Sequence, residues 1–99
     1  MDNKDILTIV KTDLEISSDS RDAYLSNLIG LSISAIAREG ITLADSTEDG
    51  MLVATYAAFL YRKRREETYS MPRSLRYMLN KRLFSEKGSA TNGVNSLSH

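Results

Sequence analysis

The chain has 99 residues with 13 basic and 13 acidic side chains and no cysteine, so one domain is expected, and disulfides and thiolate metal sites are excluded. The zero net charge hides a polarity. Residues 1–50 hold four basic residues (Lys4, Lys11, Arg21, Arg38) against ten acidic ones, a net of −6, whereas residues 51–99 hold nine basic against three acidic ones, a net of +6. Halves of opposite sign can complement a second copy of the chain.

No basic segment leading into a long apolar run opens the sequence, so no signal peptide is expected. The first predicted helix spans about Lys4 to Asp13, with Ile6, Leu7, Ile9 and Val10 at helical spacing. Ser17-Ser18-Asp19-Ser20 then supplies N-cap candidates for a second helix over about Ser20 to Glu39. Leu25, Leu28, Ile29, Ser32, Ile33, Ile36 and Ala37 form its stripe, and Gly40 suits the C′ position. A short strand or hairpin is conceivable only over Gly40 to Ala44.

Asp45-Ser46-Thr47-Glu48-Asp49 is a second capping run, with early acids at the positive end of a helix dipole. The third helix it opens reaches about Glu67 and is apolar or aromatic from Met51 to Tyr61 at every position except Thr55. That run is too short to cross a membrane, and a helix apolar all round is buried on more than one side, so a neighbouring subunit is expected to cover part of it. The fourth helix starts at Pro72, carries Leu75, Met78, Leu79 and Leu83 inward, and ends near Lys87 with Gly88 as its stop. Residues 88–99, mostly Gly, Ser, Asn and Thr, read as a flexible tail. The fold class predicted is all-α: a small bundle of about four helices over residues 1–87, followed by the tail.

Catalytic chemistry finds little support. The single histidine is His99, the last residue, where no base can be held in register with a substrate. Asp45 to Gly50 echoes a calcium loop, but the twelfth position, which needs a bidentate glutamate, is Tyr56. The five glycines form no phosphate loop. No enzyme activity, metal or cofactor is expected.

Arg62-Lys63-Arg64-Arg65, extended by Arg73, Arg76, Lys81, Arg82 and Lys87, is the sharpest local feature. Three readings compete: a solvated helix end, ion pairing with an acidic partner, and phosphate contact in a small DNA-binding or regulatory protein. Zero net charge disfavours the third. The second has Arg62, Arg64, Arg65, Arg73 and Arg76 of one copy facing Asp13, Glu15, Asp19 and Asp22 of the next, with Phe59 and Tyr61 supplying apolar burial. Tyr56, Phe59, Tyr61, Tyr69 and Tyr77 are expected in apolar stripes. An antitoxin-like or chaperone-like helical partner is a further reading.

The capped second helix ending at Gly40, the apolar third helix closing in Tyr-Arg-Lys-Arg-Arg, and the proline-started segment Met71-Pro72-Arg73-Ser74-Leu75-Arg76 through Arg82-Leu83-Phe84 resemble, over about residues 3 to 87, the head–tail connector proteins of long-tailed bacteriophages and prophages. The resemblance implies a structural virion assembly protein in an oligomeric ring, commonly a dodecamer, that joins the portal to the tail and extends the DNA channel. Its partners would be its own copies, the portal protein, and a tail or head-completion protein. DNA would pass without specific recognition, and no membrane or cofactor would be involved. The location implied is the virion head–tail junction, with the host cytoplasm before assembly.

Overall fold

A computed structural model describes the backbone of residues 2–98 and the side chains of residues 2–86. Four helices make up the fold: α1 (Asn3–Leu14), α2 (Asp22–Arg38), α3 (Thr47–Arg65) and α4 (Arg73–Ser98). No strand occurs among the described residues, so the bundle is all-α, and the segment from Gly40 to Ala44 is an irregular connection with no hairpin. The α4 backbone passes Gly88, where a stop is expected from sequence. The flexible-tail reading of residues 88–99 falls outside the described side chains.

The helix ends follow local chemistry, with two exceptions. Asp2 accepts from the Asp5 N–H at 3.0 Å and opens α1, and Ser46 accepts from the Asp49 N–H at 3.2 Å and opens α3. Gly40 closes α2 with φ +101°, a conformation that any side chain would strain. The serine-rich run before α2 does not cap it. Arg21 occupies the N-cap without a side-chain bond, and Ser18 and Ser20 pair with each other at 2.9 Å. Pro72 lies one residue outside α4, where its carbonyl accepts the first helical bond, from Arg76, at 3.1 Å.

The core explains the composition of α3. That helix packs against α1, α2 and α4 alike, so nearly every face of it meets another helix of the same chain. Leu52, Val53, Ala54, Tyr56, Ala57, Ala58, Phe59 and Tyr61 are all buried. The neighbouring subunit expected to cover α3 is therefore not needed; a central helix in a four-helix arrangement is apolar all round for intrachain reasons. Ile6 and Val10 of α1, Leu25, Leu28, Ile29 and Ile36 of α2, and Leu75 and Leu79 of α4 complete the cluster. Ser32 lies inside it with its hydroxyl donating to the Leu28 carbonyl at 2.7 Å, so its burial leaves no donor unpaired.

Candidate assembly surface

The charges that are segregated along the chain meet when it folds. Asp13, at the end of α1, pairs with Arg62 of α3 at 3.4 Å. Glu39, capping α2, pairs with Arg76 of α4 at 3.0 Å. Asp49, in the first turn of α3, is 4 % exposed and takes both guanidinium nitrogens of Arg82, the second at 3.1 Å. Each of these pairs joins the acidic half to the basic half of one molecule.

The Asp49–Arg82 pair anchors a wider network. Asp49 also accepts from the Ala44 N–H, Arg82 donates to the Thr42 carbonyl at 2.7 Å, and the Thr42 N–H donates to Glu86 at 2.8 Å. These bonds hold the connection between α2 and α3 against α4. Burial alone would push the Asp49 carboxyl up, but the Arg82 guanidinium, the Ala44 N–H and Ser46 together outweigh it and hold the carboxyl below its ordinary value. Sequence reasoning takes Asp49 for a helix-opening acid. Its partner lies 33 residues away, beyond the reach of any local pattern.

The C-terminal end of α3 is organised around Tyr61. Its hydroxyl accepts from Arg21 and from Arg65, the latter at 3.3 Å, and the guanidinium carbons lie 5.8 and 5.3 Å from the ring centroid. Tyr24 meets the same ring edge-on at 6.1 Å. Asp19 and Asp22 both pair with Lys11, at 3.0 and 2.9 Å, and Asp22 and then Asp19 hold that ammonium above its usual value.

The residues expected at a subunit contact therefore divide. Arg62, Arg65, Arg76, Asp13, Asp19 and Asp22 all have partners within the chain. Phe59 and Tyr61 are buried in the chain's own core, with Phe59 between the rings of Tyr56 and Tyr69, so neither can supply apolar area to a neighbour. Arg64, Arg73 and Glu15 are exposed and have no ion-pair partner among the described residues. Glu15 also holds a left-handed conformation, φ +58°, as the C-cap of α1.

The exposed apolar side chains lie elsewhere. Among the described residues, the large hydrophobics left in solvent are Tyr24, Leu31 and Ile33 on α2, Met51 on α3, and Tyr77 and Phe84 on α4, the last two 66 % and 80 % exposed. Tyr77 was expected in a buried stripe. The helical spacing of Leu75 and Leu79 already turns it outward, since position 77 lies about 200° around the helix from position 75.

Comparisons with family models, curated proteins and solved structures give no match, so the likeness to connector proteins rests on sequence layout alone. No helix among the described residues is long and apolar enough to cross a membrane.

Proposed function

We propose that the chain is a non-catalytic assembly protein, one subunit of a ring that joins the portal of a tailed phage or prophage to its tail and continues the DNA channel. The observation that carries this reading is a bundle with a closed core, in which many of the opposite charges pair within the chain, that still presents aromatic and aliphatic side chains on its outer surface, most of them on α2 and α4. Tyr24 also packs edge-on against Tyr61, but Tyr77 and Phe84 lie on one side of α4, 66 % and 80 % exposed, and apolar side chains grouped on an outer face mark a contact with another macromolecule. The layout shared with head–tail connectors names the partners: further copies, the portal, and a head-completion or tail protein. The site of action is the head–tail junction of the virion, after synthesis in the host cytoplasm.

Mass photometry of the chain alone and with purified portal rings tests the proposal. The expected result is a discrete complex in which copies of the chain decorate the portal in a fixed ratio. No portal binding, with a salt-sensitive shift of random duplex DNA, would instead establish the DNA-binding, regulatory reading of the basic half.

A further inference from the structure

We infer that the outer faces of α2 and α4 are the two halves of one contact between copies of this chain: α4 of one copy lies parallel to α2 of the next, with Tyr77 over Ala23, Phe84 over Gly30 and Arg73 beside Asp19. This deepens the ring reading above by naming the surfaces that meet.

The outer face of α4 carries Arg73, Tyr77, Asn80, Lys81 and Phe84, all exposed and within one arc of the helix, opposite the buried Leu75 and Leu79. Arg73 occupies the first position of α4, at the positive end of the helix dipole, where a cation is disfavoured. No acid stands in that first turn, and Arg73 has no counterion among the described residues. This helix presents two aromatic rings and an uncompensated cation to whatever covers it.

The outer face of α2 is of the opposite kind. From Ala23 to Ala37 the helix has no charged residue, although Ala23, Ser26, Asn27, Gly30, Ser34 and Ala37 are all exposed. A helix side that faces water permanently normally carries charge. Tyr24, Leu31 and Ile33 border this face and are themselves partly in solvent. A Cβ placed on Gly30 would meet nothing within 4 Å, and only Gly40 among the described glycines has positive φ, so the chain's own fold does not require glycine at position 30. A glycine there weakens the helix relative to alanine, while it leaves a hollow that can receive a ring.

The two faces match in spacing and in charge. Tyr77 and Phe84 are seven residues apart, as are Ala23 and Gly30, and seven helical residues span about 10.5 Å on either helix. The same offset that sets both rings over both small residues sets Lys81 beside Asn27 and carries Arg73 past the N-terminal end of α2, to the segment just before the helix where Asp19 lies. The Asp19 side chain is 90 % exposed even though it touches Lys11, so it is accessible to a second cation. Pairing α4 with α4 would oppose like charges, and pairing α2 with α2 would leave Tyr77 and Phe84 uncovered. Contact between unlike faces is heterologous, the type that closes a ring when its rotation divides the circle.

The cysteine-free sequence permits a direct test. Ser26→Cys and Asn80→Cys face each other in the proposed register and keep Tyr77, Phe84, Ala23, Gly30, Arg73 and Asp19. Mixing the two single variants under mild oxidation should give a disulfide-linked dimer. Neither variant alone should do so, nor should Ser34→Cys mixed with Asn80→Cys, which is out of register. In parallel, Gly30→Trp should reduce the wild-type oligomer to monomer in mass photometry with helical circular dichroism unchanged. If wild-type rings form while the in-register pair fails to link and Gly30→Trp still assembles, this contact is wrong and the ring reading stands. If the chain neither links nor binds a portal, both fall.

Discussion

The two ends of α3 solve the same problem in different ways. At its N-terminal end one carboxylate, Asp49, is removed from water, and Arg82 of α4 and the Ala44 N–H of the connection before the helix both donate to it. At its C-terminal end four consecutive cations stay at or near the surface: Arg62 pairs with Asp13, Lys63 donates to the Glu67 carbonyl, Arg65 donates to the Tyr61 hydroxyl, and Arg64 has no partner among the described residues. A buried charge depends on its partners, because without them the cost of desolvation stands alone. An exposed pair is partly replaced by water. The N-terminal junction is therefore built for stability, and the C-terminal one tolerates change.

Substitutions at the two ends should separate in that order. Arg82→Ala leaves the Asp49 carboxylate buried without its guanidinium and frees the Thr42 carbonyl, and it should cost about 3 kcal/mol in urea unfolding, the largest effect expected. Acid should act through the same junction. The Asp49 carboxyl titrates below its ordinary value in the folded chain, so the unfolded chain takes up the proton first as pH falls. Its contribution is complete above the ordinary carboxylate value of 3.8 and is lost as pH drops through the lowered folded value. In Asp49→Asn that part of the acid dependence should vanish, which unfolding measured from neutral pH downward would show.

At the other end, Tyr61→Phe keeps the buried ring and its contacts with both guanidinium groups and removes only the shared hydroxyl. A loss of about 1 kcal/mol is expected. Arg62→Gln breaks the half-exposed pair with Asp13 and should change stability by about 0–1 kcal/mol, a shift that shrinks in high salt. If Arg62→Gln proved as damaging as Arg82→Ala, the contrast between the ends would be lost.

The helices were legible in the sequence because their signals are local. The 3.6-residue stripes of Ile6 and Val10, of Leu25, Leu28, Ile29, Ser32 and Ile36, and of Leu75 and Leu79 are the buried stripes of the fold, whereas Ile33 and Ala37, expected in the α2 stripe, are turned to the outside. Gly40 takes the positive φ that its place after α2 requires. The candidate site was harder to read. The opposite signs of the two halves are real, but Asp13 with Arg62, Glu39 with Arg76 and Asp49 with Arg82 meet across 49, 37 and 33 residues, and no local pattern tells an intrachain partner from one on a second copy. The apolar run of α3 misled for a related reason, since burial on several sides does not say whose surface does the burying. Tyr77 and Phe84 could have been found by extending the Leu75–Leu79 stripe and noting which large residues fall opposite it.

The central claim is that acidic and basic halves neutralise each other within a single molecule. A double-mutant cycle over Asp49→Ala and Arg82→Ala, followed by urea unfolding at low and high protein concentration, tests it most directly. The account predicts a coupling of about 2–3 kcal/mol that is the same at both concentrations. A coupling near zero, or one that appears only in the concentrated sample, would contradict it.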